Sequence, residues 1–312
     1  MNSSSLFDIT GKSAFVTGAS VGIGRGYAVA LAQAGADVAV VDIDDRTGEK
    51  TAAEIRQLGR RSLFIHCDVT QKEQVEAMVA KVVSEFGKLD VAVNNAGIGI
   101  LGADEDYPLE SWQKVINVNL TGMWLCATAA CRQMIKQSPC EGKIINTASM
   151  SARIANCNAS YNASKGGVVE MTRMLAAEWG RYNINVNCIS PSYILSPMHA
   201  STPTQVRDRI RQLTPLGHVE RPEDLYGPVV FLASKAADYV TGVDLLVDGG
   251  HTLNAWLTPL SREVPPRVSP KEEIVSLLHD MDALGIEHDE EGINFAYKPE
   301  IADAYKAAFG LK

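Results

Sequence analysis

The chain has no apolar run long enough to cross a bilayer, no excess of basic residues, no paired cysteines and no metal-ligand histidine spacing. Each absence excludes a class of function. A membrane-spanning helix needs roughly 20 consecutive apolar residues, so an integral helical membrane protein is not expected. With 29 basic against 37 acidic residues and a net charge of −8, no surface invites nucleic acid. The six cysteines, at 67, 126, 131, 140, 157 and 188, contain no Cys-x-x-Cys pair and read as reduced, mostly buried side chains. The six histidines form no His-Glu-x-x-His or similar pattern, so no metal is expected. Met1 to Leu6 lack the charged and apolar regions of a signal peptide, and Phe309 to Lys312 form no peroxisomal or retention address. A cytoplasmic location is the expectation. No internal repeat and no low-complexity block is present.

What is there begins with Thr17-Gly18-Ala19-Ser20-Val21-Gly22-Ile23-Gly24, which follows the apolar run Ser13 to Val16 and opens a helical pattern over 23–34. Gly18 allows a sharp turn out of the strand. Gly22 lets the backbone approach a pyrophosphate, and Gly24 lets the helix pack close to the sheet. The helix directs its unpaired N–H groups and positive dipole end at the phosphates.

Short apolar runs recur at 14–16, 38–41, 63–65, 91–93, 144–146, 186–189 and 245–247, alternating with helical patterns such as 72–86, 111–135 and 160–181. Nearly continuous apolar strands between amphipathic helices predict an α/β fold, a doubly wound parallel sheet buried on both faces. Its ligand crevice should lie at the carboxyl ends of the strands.

The composition changes beyond Val247-Asp248-Gly249-Gly250. Residues 258–312 hold 6 Lys/Arg and 11 Asp/Glu, and so carry −5 of the net −8. Ser269-Pro270-Lys271-Glu272 reads as a capping box with proline at the first helical position. Ile274, Leu277, Leu278, Met281 and Leu284 follow at helical spacing, with Gly285 placed to stop the helix. A second short helix is predicted over 300–309. The apolar stripe requires a covering surface, so this extension is expected to dock.

Two further constellations carry chemistry. Tyr161 and Lys165, four apart in a helical pattern, project from one face. An ammonium beside a phenol favours the phenolate and should lower its pKa from about 10, which suits a general base towards an alcohol or an acid towards a ketone. Ile144 to Ser149 ends an apolar strand in a serine at the carboxyl edge of the sheet, where a reacting carbonyl would need polarising.

On these residues the chain resembles the short-chain dehydrogenase/reductase family. The glycine motif appears as Thr17-Gly18-x-x-x-Gly22-x-Gly24, the Asn-Asn-Ala-Gly motif as Asn94-Asn95-Ala96-Gly97, and the catalytic asparagine as Asn119. The serine matches Ser149, and Tyr-x-x-x-Lys matches Tyr161 and Lys165, all in the family's order between about Phe7 and Thr252. The resemblance implies a Rossmann-type catalytic domain over 1–257 and a helical C-terminal extension over 258–312. It makes Tyr161 the acid/base and gives Ser149 the positioning and polarising of the substrate oxygen. Lys165 holds the nicotinamide ribose, and Asn119 anchors a proton-relaying water. Ser151 is a rival for the serine role.

For the cofactor, Gly18, Ser20, Val21, Gly22, Ile23 and Gly24 would cradle the pyrophosphate. Asp42 ends the second strand with a carboxylate about 20 residues after the glycine loop, suited to a ribose 2′-OH and repulsive to a 2′-phosphate, which predicts NAD. Ile43, Asp68 and Val69 flank the adenosine by resemblance, with Asn95, Ala96 and Gly97 beneath its ribose. The family's Pro-Gly after the sixth strand appears as Pro191-Ser192, leaving the path of that loop open; Ile194 and Ser196 can grip the carboxamide.

The wording around Ser149 and Tyr161 is similar to polyol and ketose members such as mannitol dehydrogenases and sorbose reductases. Ser151, Asn156 and Tyr193, with Arg153, Asn158 and His199 nearby, would give a polar pocket suited to a polyhydroxylated chain. The leading expectation is NAD-dependent oxidation of a secondary hydroxyl of a sugar or polyol by a homotetramer. The alternatives are a dehydrogenase of hydrophobic alcohols, hydroxysteroids or 3-oxoacyl substrates, or a non-catalytic dinucleotide sensor. The extension is expected to border a substrate mouth.

Overall fold

The computed structural model describes residues 3–253 and 265–292. Seven strands, β1 (Ser13–Thr17), β2 (Asp37–Asp42), β3 (Ser62–His66), β4 (Val91–Asn94), β5 (Gly142–Thr147), β6 (Ile184–Pro191) and β7 (Asp244–Val247), form one sheet in the order 3-2-1-4-5-6-7. All six neighbouring pairs are parallel. Every apolar run singled out in the sequence lies in a strand of this sheet.

Side-chain alternation explains the burial of both faces. Val16, Val38 and Val40 point to one core, Phe15, Ala39 and Val41 to the other, and all six are fully buried. The first core is covered by α1 (Gly22–Gln33) and α8 (Tyr226–Ala233). The second is covered by α3 (Lys72–Phe86) and α5 (Met123–Ile135). The remaining helices are α2 (Asp45–Gln57), α4 (Leu109–Ile116), α6 (Ala159–Trp179), α7 (Thr204–Leu213), α9 (Pro270–Glu273) and α10 (Val275–Leu284). Strand order reverses between β1 and β4, which opens a crevice at the carboxyl edge. No helix among the described residues is long and apolar enough to cross a membrane.

The predicted helix over 111–135 is continuous but not uniform. Between α4 and α5, Asn117–Gly122 winds as a wider π-turn. Such a turn inserts an extra residue and commonly marks a functional position.

In the extension, the capping box forms as expected: the Ser269 side chain caps the Glu272 N–H, and the Glu272 carboxylate accepts from the Ser269 N–H. The single predicted helix is broken at Ile274 into α9 and α10, and Gly285 ends α10 with φ 72°. Ile274, Leu277 and Met281 pack on Leu195, Ala200, Val206, Ile210 and Val219. The buried Glu273 carboxylate pairs with Arg211 at 2.6 Å and accepts from the Val219 N–H at 3.1 Å. The helix predicted over 300–309 lies outside the described residues, as does the 257/258 boundary.

Candidate active site

A cleft of about 860 Å³ opens along the carboxyl ends of the strands. At its base the glycine loop is packed as closely as backbone allows. A Cβ on Gly18 would lie 2.8 Å from Ala96 Cα, and one on Gly24 would lie 2.0 Å from the Gly18 carbonyl oxygen. Asn95 fixes this contact by donating from Nδ2 to the Thr17 and Gly18 carbonyls at 3.0 and 3.2 Å. The Asn95 and Ala96 N–H groups both donate to Thr17 Oγ1, at 2.9 and 3.1 Å. The glycines therefore leave a floor of bare backbone at the N-terminus of α1.

The cleft is lined by Gly18, Val21, Gly22, Ile23, Gly24, Asp42, Ile43, Asp68, Val69, Asn95, Ala96 and Gly97, as the sequence reading required. Ser20 is not on the surface. It is buried behind the loop, where its N–H donates to Asp42 Oδ2 at 3.0 Å. Asp42 also accepts from the Ile43 N–H at 2.7 Å, so its carboxylate is held at the tip of β2 by three backbone amides counting Asp44. Sequence reasoning missed Glu110, Gln113 and Lys114 of α4, which form a second polar wall.

At the other end, Ser149, Tyr161 and Lys165 share one wall. Asn158 caps α6 by accepting the Tyr161 N–H at 3.3 Å, which starts the helix at the turn that carries the phenol. The floor beneath is set by buried amides: Asn94 Nδ2 donates to Asn146 Oδ1, and Asn146 Nδ2 donates to Thr172 Oγ1, each at 2.9 Å. These bonds tie β4, β5 and α6 into one frame. The available signal was an asparagine at the end of each of two apolar strands.

Lys165 is buried and donates from Nζ to the Thr147 carbonyl at 2.8 Å, with Nζ 5.7 Å from the centre of the Tyr161 ring. Burial pulls the ammonium pKa down to about 8. The expectation that lysine lowers the phenol pKa is corrected by this structure. Burial, with the Cys157 thiol adding to it, pushes Tyr161 up to about 12, and the hydrogen bond with Ser149 opposes this. Desolvation wins because the ammonium is turned towards a backbone carbonyl.

Asn119 lies in the π-turn and is fully buried. Its Oδ1 accepts from the Ile98 N–H at 2.8 Å; its Nδ2 donates to the Ile98 carbonyl at 2.9 Å and to Ser164 Oγ at 3.1 Å. A Cβ on Gly97 would be 3.3 Å from Asn119 Oδ1 and 3.6 Å from Lys165 Nζ, so both side chains converge on this glycine.

The rivalry between the two serines resolves by position. Ser149 faces the cleft, whereas buried Ser151 lies off it, donating its N–H to Ser149 Oγ and accepting the Ser149 hydroxyl, both at 3.1 Å. Asn156 and Tyr193 are also off the cleft lining: Asn156 lies within hydrogen-bonding reach of the Tyr193 hydroxyl, and the Tyr193 ring packs edge-on against His251 at 5.4 Å. The three predicted substrate contacts thus stand behind the wall. Arg153 pairs with Asp244 at 2.8 Å, and Asn158 is the helix cap. His199 and Ser192 do reach the cleft.

Pro191, Ile194 and Ser196 line the cleft beyond β6. Ser192 in place of glycine distorts nothing, because Asn183 is the one non-glycine residue with positive φ among the described residues. The Ser192 N–H donates to Glu220 Oε2 at 2.5 Å, a carboxyl whose pKa burial raises well above the usual range.

A family model described as enoyl-(acyl carrier protein) reductase matches residues 18–252. A solved short-chain type dehydrogenase/reductase from Mycobacterium marinum is 42% identical, with a TM-score of 0.75, over 81% of this chain and 99% of its own. The chain belongs to the short-chain dehydrogenase/reductase family. Among its relatives in this family, an NAD-dependent glycerol dehydrogenase of Listeria innocua is 40% identical over 79% of this chain and 96% of its own. A probable NADP-dependent mannitol dehydrogenase of Yarrowia lipolytica is 39% identical over 78% and 89%. The family model ends at Thr252, so α9 and α10 lie outside it.

Proposed function

We propose that this short-chain dehydrogenase/reductase oxidises a secondary hydroxyl of a sugar or polyol with NAD, and reduces the matching ketone in reverse. The observation that carries the chemistry is the meeting of Ser149, Tyr161 and Lys165 on one cleft wall beside a bare glycine floor. The residues present fit a nicotinamide dinucleotide. Gly18, Val21, Gly22, Ile23 and Gly24 would take its phosphates, with Asp42 and Ile43 at the adenosine ribose and Asp68 and Val69 at the adenine. Asn95 to Gly97 would lie beneath, and Pro191, Ile194 and Ser196 at the carboxamide. When bound, the nicotinamide supplies the acceptor or donor of hydride.

The chain's own residues handle the proton. Ser149 Oγ hydrogen-bonds the substrate oxygen and holds it against the Tyr161 hydroxyl. Tyr161 takes the alcohol proton in oxidation and returns it in reduction. A phenol held up to about 12 is a ready acid at neutral pH, which suits the reductive direction in the absence of other charge. Lys165, held by the Thr147 carbonyl, lies one helical turn from the phenol and is placed to stabilise the phenolate as it forms. Asn119 and Ser164 extend a polar path from this lysine into the helix.

NAD is favoured because Asp42 stands at the tip of β2, where a 2′-phosphate would meet its charge. Polyhydroxylated substrates are favoured by the sugar and polyol dehydrogenases among the relatives and by the polar groups Ser149, Ser192 and His199 on the cleft. The test is a panel of polyols, steroids and acyl substrates with NAD and NADP, followed by absorbance of the reduced cofactor. Turnover confined to steroids or acyl thioesters would reject the polyol reading, and no turnover with intact dinucleotide binding would favour a sensor.

A further inference from the structure

The strongest unexplained contact joins the extension to the glycine loop. Asp280 of α10 accepts the Gly22 N–H through Oδ2 at 2.7 Å, across 258 residues of sequence. Gly22 is the first residue of α1, whose cap Val21 offers no side-chain acceptor and whose first turn holds no acidic residue. A carboxylate there meets the positive end of the helix dipole and an otherwise unpaired amide. It thereby takes the electrostatic position that a bound phosphate would take.

Three observations separate this contact from a simple anchor. Asp280 is only 1% exposed, yet its Oδ1 has no hydrogen-bond partner. The cations around it are loosely placed. Arg25 lies 3.9 Å away and makes its close bonds, 2.9 and 2.7 Å, to Glu54; His279 Nδ1 lies at 3.7 Å. A permanent buried carboxylate is ordinarily paired on both oxygens. In addition, the extension is secured without Asp280. Arg46 and Lys50 of α2 donate to the Leu284 and Ala283 carbonyls at 2.6 and 2.8 Å, and Glu273 holds Arg211. Leu284, one turn beyond Asp280, itself lines the cleft.

We propose that Asp280 is an internal substitute for the cofactor's phosphate, holding the Gly22 amide in the free protein and yielding it to the pyrophosphate of the dinucleotide. The extension thereby sets cofactor affinity, a function for which the catalytic domain supplies no residue. The proposal rests on the dinucleotide reading of the cleft and adds to it a competing group from outside the family's span.

The test compares binding of ADP-ribose, which carries the pyrophosphate, with binding of adenosine, which does not, by calorimetry on full-length wild type, Asp280→Asn and Asp280→Ala. Asparagine keeps the shape and an acceptor oxygen while removing the charge, so it decides the matter if alanine perturbs folding. ADP-ribose is expected to bind Asp280→Asn on the order of tenfold more tightly than wild type, with adenosine unchanged. ADP-ribose affinity that is unchanged or weaker in Asp280→Asn overturns the proposal, as does an equal gain for adenosine. Absence of ADP-ribose binding to wild type and variants alike would remove the dinucleotide reading, and this proposal with it.

Discussion

Lys165 Nζ and the Thr147 carbonyl oxygen lie 2.8 Å apart, and this bond is the only direct one printed on the buried ammonium by the surrounding protein. The lysine is therefore held in place while remaining poorly compensated, with its pKa drawn down to about 8 by burial. Its folded pKa lies below the unfolded value, so the unfolded chain binds more protons between the two. Stability contributed at this residue is lowest below about pH 8 and recovers as pH rises towards about 10.5.

Replacement Lys165→Met should consequently raise stability at neutral pH, by about 1–3 kcal/mol, while removing turnover. Denaturant unfolding at pH 7 would measure the gain. A variant less stable than wild type would show that the Thr147 bond outweighs the buried charge.

Tyr161→Phe is expected to cut turnover at least tenfold while leaving dinucleotide binding within a few-fold, because it deletes one hydroxyl and preserves the ring. Retention of more than a tenth of wild-type turnover would end the acid/base assignment. In wild type, the rate of alcohol oxidation should climb with pH across about 7 to 10, since the phenolate is the minor form below the raised pKa. The reductive rate should show no such rise.

Asp42→Ala should move preference from NAD towards NADP by about 1–3 kcal/mol, as a charged acceptor is lost from the ribose edge. Ratios of kcat/KM for the two cofactors give the measurement. Wild-type preference for NADP would refute the assignment of this strand end before any substitution.

Glu220→Gln should be close to neutral, because the buried carboxyl is already biased towards its uncharged form and an amide oxygen can still receive the Ser192 N–H. Glu220→Ala should cost about 1–3 kcal/mol, the penalty for stranding a buried donor. Thermal unfolding of both variants separates them; equal losses would mean that the space filled by the side chain matters more than its acceptor.

The sheet and the catalytic wall were legible because both are encoded locally. Val38 to Val41 and Ile144 to Asn146 could be little other than buried strands, and Tyr161 and Lys165 share a helix face at any tertiary setting. Ser151, Asn156 and Tyr193 were chosen for nearness in sequence to those motifs, and nearness does not say which side of a wall a side chain takes. The α4 residues Glu110, Gln113 and Lys114 carry no pattern of their own, since only the docking of that helix turns them into the cleft. Asp280 did leave a trace. It stands among Leu277, Met281 and Leu284, an acidic residue on an otherwise apolar helix face, and such a residue requires a buried partner. The partner, 258 positions away, could not be read from the chain. The same geometry revises the expectation for the extension: its apolar face backs the segment after β6, but its polar edge reaches the glycine loop, so its removal should alter cofactor affinity as well as KM for substrate.

Assembly is a further expectation. Leu109, Trp112, Trp124 and Met174 are large apolar side chains exposed on α4, α5 and α6, at 64, 37, 47 and 63%. Burying them in a homotetramer would remove these side chains from water. Light scattering at micromolar concentration should give the mass of four chains, and a monomer would contradict this.

The wide turn at Asn117–Gly122 imposes a rule on how the gene can vary. It accommodates an extra residue between two regular helical segments and so fixes the rotational phase of α5 relative to α4. Loss of one codon there would let the helix close into a regular spiral and turn everything downstream by about 100°. Cys126, Ala127 and Ala130, now against the sheet, would swing away together, and exposed Trp124 would be carried round with them. Point substitutions in this stretch can be absorbed by repacking, whereas a frame-preserving deletion would misalign a whole helix, so drift here should proceed by exchange of letters and not by change of length.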